Sequence, residues 1–410
     1  MKEFTRRRFL AAGTAAAAAG AAGQLLRPAP AHAATIRYEP EKDASLRVLR
    51  WKRFVQGDED QFMANARRFT QLTGVKVRVN SENFEDLRPK AAVAAQVGAG
   101  PDIIISTDEQ PQLYPDKLLD VSDLAQYLGE KYGGWFDVCP EYCTHQGKWI
   151  AIPTGAAGGA MVYRKSMLHA AGFETFPKDL NGFLKLCQAL KAKSKPPGFA
   201  LGHATGDANG WTYWLLWAFG GRIADENNAL ALNSNETIAA LEYAKELYQT
   251  FATGSLSWGD PSNNKVFLSG GISLTMNGIS IYYAAKTSTD PKLKALTPDI
   301  QHAAKEFLRF IMEREQYEPW QRASLGYISH TLRAYDDNPV WSEDPQHAFY
   351  RDVVRGAVHN GYAGRLGEES AAMLADFIIV DMFGEVCTGQ RTPRQALLRA
   401  EKRARRYYRG

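Results

Sequence analysis

Hydrophobic and polar positions change period several times along this chain, and the changes mark out its elements. Leu46-Arg47-Val48-Leu49-Arg50-Trp51 alternates and predicts a strand. From Asp58 to Thr73, Phe62, Ala66, Phe69 and Leu72 recur at helical spacing, and Gly74 marks the stop. Val75 to Val79 alternates again, residues 85–98 read as a helix ending at Gly98, and Pro101 to Ser106 is an apolar run of the kind found in buried parallel strands. Strand, helix, strand, helix, strand in that order predicts an α/β fold with a parallel sheet. The pattern restarts after Pro153. Ala160 to Tyr163 predicts a strand, 164–172 and 179–192 predict helices, and Phe199 to Leu201 is a further strand candidate. An aromatic helix over 211–219, an amphipathic helix over 235–252 and a strand over Gly271 to Met276 follow, and from about residue 300 the chain reads as almost entirely helical.

Length and charge refine this picture. The 410 residues suit two domains better than one. The formal charge of +4 resides in the first 33 residues, where five cations face one acid, so the remainder is neutral overall and lacks the field that would favour nucleic acid. A further run of seven cations between Arg394 and Arg409 surrounds Glu401 and reads as a solvated helix face. The start is an address. Arg6-Arg7-Arg8-Phe9-Leu10 precedes a weakly apolar Ala/Gly stretch and ends in Ala31-His32-Ala33, which is similar to a twin-arginine export signal cleaved between Ala33 and Ala34. The expectation is a soluble periplasmic protein that acts as a monomer.

Candidate chemistry is sparse. Cys139 and Cys143 could bridge in an oxidising compartment or remain buried thiols, and their spacing is not that of a redox or zinc motif. The His residues are scattered, and the chain has no Gly-x-Ser-x-Gly and no His-Glu-x-x-His. Tyr282-Tyr283 has no His nearby, which argues against iron. These features point away from an enzyme and predict neither a metal nor a cofactor.

A set of short motifs carries a resemblance. Gln146-Gly147-Lys148-Trp149-Ile150-Ala151-Ile152-Pro153 leads to Val162-Tyr163-Arg164-Lys165, then Gly210-Trp211 and Gly220-Gly221, and finally Phe267-x-x-Gly270-Gly271-Ile272-Ser273-Leu274-Thr275-Met276-Asn277-Gly278. Their order and spacing over residues 45–410 resemble the family 1 extracellular solute-binding proteins, the maltose-binding type. The resemblance implies a type II periplasmic binding protein fold, with two α/β lobes and a cleft between them. It also implies a solute, most simply a carbohydrate, that is delivered to the permease subunits of an ABC importer. The implied division places lobe 1 at 34–153, lobe 2 at 154–285, a return to lobe 1 over 286–325, and a helical part over 326–410 that packs on lobe 2 and the hinge. Sugar recognition needs aromatic faces and mixed polar groups at strand ends, so the expected ligand residues are Trp51, Glu82, Asp108, Trp211, Trp214 and Asn277. Glu82, Glu85, Asp86, Asp108 and Glu109 also leave a polyamine open as the solute. The chain departs from the family before Ala303, where Lys286 to His302 holds no apolar run for the expected crossing strand. That shortening implies a diverged or deletion variant with impaired closure.

Overall fold

A computed structural model describes residues 38–408 except 157–158, 279, 282, 284–311, 328 and 345–346. The expected leader over 1–33, Tyr282, the shortened stretch 286–302 and the helix read at 303–310 lie outside the described residues.

Strand β1 (Ser45–Trp51) is buried along nearly its whole length, as a central strand covered on both faces must be. It pairs in parallel with β2 (Lys76–Glu82), Val48 opposite Val79 and Trp51 opposite Glu82. On its other side it pairs in parallel with β3 (Ile103–Ile104), giving the order β2-β1-β3. The apolar run expected to be a longer third strand is confined to two residues by ladder criteria. The flanking amides of Asp102 and Ile105 still bond Arg47 and Leu49 carbonyls at 2.9 and 2.8 Å. Helix α1 (Gln56–Thr73) buries Phe62, Ala66 and Phe69 against this sheet. Leu72 is 60% exposed because at 100° per residue it falls well off the stripe set by the other three. Gly74 takes the left-handed C-cap, φ 77°, which a side chain would resist, and its N–H closes on the Thr70 carbonyl at 2.9 Å. Helix α2 (Phe84–Val97) starts directly at the carboxyl end of β2. Helices α3 (Ser122–Lys131) and α4 (Val138–Cys143) and the small ladder of β4 (Thr144–His145) and β5 (Lys148–Trp149) complete this part of lobe 1.

Lobe 2 is built on β6 (Ala160–Tyr163) and β7 (Leu274–Asn277), paired antiparallel. Around them stand α5 (Lys165–Ala170), α6 (Leu180–Ala192), α7 (Asp207–Ala218), α8 (Asn235–Tyr248) and α9 (Ser262–Leu268). Side-chain caps explain where α6 and α8 begin: Asp179 accepts from Gly182 N–H and Ser234 from Thr237 N–H. Phe199–Leu201 is buried but joins no ladder. Leu201 N–H bonds the Ser255 carbonyl and Gly198 N–H the Leu274 carbonyl, so this strand candidate serves as a packed connection. The C-terminal helices Ile378–Cys387 and Pro393–Ala404 close the lobe 2 core over Leu215, Leu241 and Phe251. The basic run on the last helix is spent within the molecule, with Arg399 on Glu385, Arg403 on Asp381, Arg405 on Glu401 and Arg406 on Asp376. All four cysteines are buried and unbridged.

After helix Arg314–Ala323 the described residues of 324–332 are not helical, and the chain returns to lobe 1 for longer than the sequence suggested. Tyr317, Trp320, Leu332 and Tyr335 sit in the lobe 1 core, so the return continues ten residues past 325, drawn by the apolar faces of α1 and α3. Two connecting segments pair with each other here. Ala156 and Ser329 exchange backbone hydrogen bonds of 2.9 and 2.7 Å, Thr331 Oγ1 donates to the Pro153 carbonyl at 2.7 Å, and Tyr317 Oη donates to the Thr154 carbonyl at 2.9 Å. No helix among the described residues is long and apolar enough to cross a membrane.

Candidate ligand cleft

The carboxyl ends of β1, β2 and β3 all open toward lobe 2, where α2 from one lobe faces the start of α7 from the other. Parallel strands leave their following loops at this edge, so side chains from distant sequence positions converge there.

The seam is bridged at several points. Phe84, first residue of α2, lies against Gly206, its ring 3.6 Å from where a Cβ would stand, an ordinary van der Waals distance. Glu85 Oε1 accepts the backbone N–H of Asp260 at 3.0 Å. Asp260 in turn caps α7 from outside the helix. Its carboxylate accepts the N–H groups of Thr205, Gly206 and Asp207 at 2.7, 2.8 and 2.7 Å, serving donors that a helix start leaves open. One turn further along α2, the Arg88 guanidinium stands 5.6 Å from the Phe377 ring of lobe 2. Phe377 is held in the left-handed region, φ 52°, and stacks on His203 with ring centroids 4.4 Å apart. A bulky residue tolerates that backbone only where its surroundings fix it.

The electrostatics of the seam follow from burial. Arg88 Nε donates to Glu109 Oε1 at 2.8 Å, and Thr107 Oγ1 donates to the same oxygen at 2.9 Å. Burial raises the Glu109 carboxyl to about 7; Arg88 opposes that rise and Asp108 adds to it. Asp207 is pushed well above the usual carboxylate range by burial, then by Asp260 and Glu85. Asp260 is raised by burial, an effect that its three N–H bonds partly offset. Tyr213, on α7, is within electrostatic reach of both Arg88 and Glu109.

Several buried polar atoms at these positions have no hydrogen-bond partner: Arg88 Nη1, Glu109 Oε2, both ends of the Gln110 amide, Tyr213 Oη, Asp207 Oδ2 and Trp51 Nε1. Donors and acceptors are mixed, and burying them unmatched is costly, about 1–3 kcal/mol each. A polar solute between the lobes would match them.

The residues expected from sequence fare unequally. Trp51 sits at the seam, its ring edge-on to Phe84 with centroids 5.9 Å apart. Asp108 is exposed beside Glu109 and bonds the Tyr142 hydroxyl. Glu82 ends β2 and is engaged by Lys90 at 2.7 Å. Trp211, by contrast, is 1% exposed in the lobe 2 core, packed on Phe199, Phe251 and Phe383, with its Nε1 donating to the Ala200 carbonyl. Trp214 is packed edge-on against Phe183. Asn277 is buried with both amide ends used, by Asn264 and Ser280 at 2.5 and 2.8 Å. These three serve lobe 2 packing, while Arg88, Gln110, Tyr213 and Phe377 enter the seam unannounced by any motif.

Comparisons with known proteins agree with this architecture. The family model described as bacterial extracellular solute-binding protein matches residues 64–302. A Deinococcus radiodurans protein named as a probable ABC transporter-binding protein is 24% identical over 243 residues, a match that spans 57% of each chain and so only about half of that relative's length. Among solved structures, a sugar transporter of Arthrobacter chlorophenolicus A6 with bound laminaribiose aligns with a TM-score of 0.77 at 16% identity, covering 88% of this chain and 99% of that one. A maltose-bound protein of T. maritima gives 0.74 at 16% identity over 88% and 99%. A solute-binding protein of Agrobacterium radiobacter K84 in complex with ribitol gives 0.72 at 18% over 88% and 98%. At these identities the structural likeness is one of fold, the two-lobed α/β architecture, and it agrees with the family match over more than half of the sequence: the chain belongs to the bacterial extracellular solute-binding proteins.

Proposed function

We propose that this chain is the exported solute-capturing component of an ABC importer, that it encloses a small carbohydrate or sugar alcohol between its lobes, and that it passes the closed complex to membrane permease subunits without chemical change. The observation that carries this reading is the mixed set of buried, unmatched donors and acceptors on both sides of one hinged seam. Hydroxyl groups both donate and accept, so a polyhydroxylated solute fits such a set better than a solute of single charge. The solutes named for the structural neighbours, laminaribiose, maltose and ribitol, are of that class. A twin-arginine leader, a monomeric state and a periplasmic location belong to the same proposal.

A cationic solute is the second reading, favoured by the meeting of Glu85, Asp207 and Asp260. Two of these carboxylates are already committed, Asp260 to the α7 amides and Glu85 to the Asp260 amide, which leaves Asp207 Oδ2 as the free acceptor. A thermal-shift screen of the purified chain against neutral sugars, alditols, polyamines and short peptides separates the readings. A ligand that binds the native state alone raises the melting temperature in proportion to ln(1 + [L]/Kd). A saturable shift with a neutral sugar or alditol, and none with spermidine, is the expected result. A shift confined to polyamines would replace it with the second reading. A cooperative melt unmoved by every compound would remove both.

A further inference from the structure

We propose that Arg47, Lys76 and Arg78 form a binding site for a small oxyanion, phosphate or a phosphate-bearing group, on lobe 1 and apart from the solute cleft.

Parallel pairing sets Arg47 of β1 directly opposite Arg78 of β2. Residues paired in this way project from the same face of the sheet, on strands about 4.8 Å apart. Lys76, two residues before Arg78, projects from that face as well. Trp51, also on this face of β1, packs on Phe84, so this is the face that α2 crosses. Arg47 and Arg78 stand four residues before Trp51 and Glu82, roughly 13 Å from the carboxyl edge where the lobes meet.

Three cations share one acid here. Asp102 Oδ2 lies 3.8 Å from Arg47 Nε, beyond hydrogen-bond reach, and accepts the Arg47 backbone N–H at 2.6 Å. Helix α2 and the loop after it bring no other charge, since residues 91–101 are all uncharged. Among the described residues neither the Arg78 nor the Lys76 side chain makes an ion pair or a hydrogen bond. Arg78 is 6% exposed, and its Nε, like that of Arg47, is sealed from water without an acceptor. The Nη atoms of both guanidinium groups are the ends left at the surface, and no protein acceptor meets them. Burial, and then the charge of Arg47, lower the Arg78 pKa, as expected of neighbouring cations. A buried cation without a partner is costly, and an anion at these ends would offset the cost. Guanidinium groups present parallel N–H donors that match the oxygens of a phosphate and not a spherical halide. Two of them on neighbouring strands, with an exposed ammonium at the rim, leave two positive charges unmatched, which suits a phosphate dianion.

Isothermal titration of the full chain with sodium phosphate, against sodium chloride at the same low ionic strength, reads the site directly. One phosphate per chain, bound saturably where chloride is not, is the expected result. Arg78→Gln should weaken it about tenfold or more through the loss of charge-assisted bonds. Lys76→Gln should weaken it several-fold, and because Lys76 is exposed this variant decides the matter if Arg78→Gln does not fold. Sedimentation with vesicles of phosphatidylcholine, alone or mixed with phosphatidylglycerol, separates the sources of the phosphate. Arg78 is recessed, so free phosphate should bind and neither vesicle should. Binding to the mixed vesicles alone, abolished in Arg78→Gln, would assign the same site to a lipid headgroup. The melting shift given by a cleft solute should be the same in wild type and both variants, so failure here leaves the solute-capturing role untouched. No saturable response to phosphate or vesicles, or a response equal in wild type and folded variants, would overturn the site.

Discussion

Glu109 stands at a point where burial and pairing compete. Burial raises its carboxyl to about 7, from 4.5 for the unperturbed group, in spite of the Arg88 guanidinium. A carboxyl raised on folding contributes stability that is fully present below its unfolded value and lost as pH rises through the folded one. Of order 3 kcal/mol from this group should therefore disappear between about pH 4.5 and pH 7. Urea denaturation of the wild type and of Glu109→Gln at several pH values isolates the effect. The stability difference between them should shift in favour of the variant as pH rises across that window and level off above it. A difference independent of pH would show that Glu109 stays ionised throughout and that Arg88 outweighs burial. The same residue shows how far the sequence could be read. Trp51 and Asp108 could be chosen because strand ends are legible from periodicity. Arg88 could not, because its position one turn into a helix has meaning only when α7 and Phe377 of the other lobe face it. Trp211 shows the converse limit: an aromatic after glycine in a helix looks the same whether its ring faces core or solute, and here Phe199, Phe251 and Phe383 surround it.

Elements were more legible than residues, since β1, α1, β2 and α2 each carry a period and a stop of their own. What escaped was any element whose hydrogen bonds come from elsewhere. Phe199–Leu201 has strand composition, yet the Leu201 amide serves Ser255 and the preceding Gly198 amide serves Leu274 of β7 rather than a ladder. Helix α7 begins four residues before the aromatic stretch suggested, and its cap is Asp260, more than fifty residues further along the chain. No local pattern can announce a cap supplied from that distance. The consequence can be measured. Asp260→Ala leaves three N–H groups without their acceptor and should cost about 2–4 kcal/mol. Asp260→Asn keeps Oδ1 for Gly206 and Asp207, loses the Oδ2 bond to Thr205, and removes repulsion from Glu85 and Asp207, so it should cost much less. Equal losses in chemical denaturation would mean that the negative charge, not the acceptor geometry, stabilises the start of α7.

At the scale of the molecule, the Asp260 cap and the Glu85 contact form one chain of bonds from lobe 1 into the first turn of α7. In the proposed capture cycle the Glu85–Asp260 bond, made between residues of the two lobes, should bias the empty protein toward closure. A hydrogen bond to a charged acceptor is worth about 1.5–3 kcal/mol, enough to change an open-to-closed ratio by about tenfold or more. Glu85→Ala removes it, while Glu85→Gln keeps an oxygen in place. Small-angle scattering of the solute-free protein should then give a larger radius of gyration for Glu85→Ala than for wild type, with Glu85→Gln between them. Saturating solute should bring all three to the same compact value, because the solute's own contacts to both lobes remain. Affinity should fall in Glu85→Ala by the factor by which the closed population falls, with the order of preference among solutes unchanged, since Glu85 biases closure without touching the solute. If the solute-free radii are identical and affinity alone drops, Glu85 instead touches the solute, and the acidic end of the seam belongs to the recognition surface.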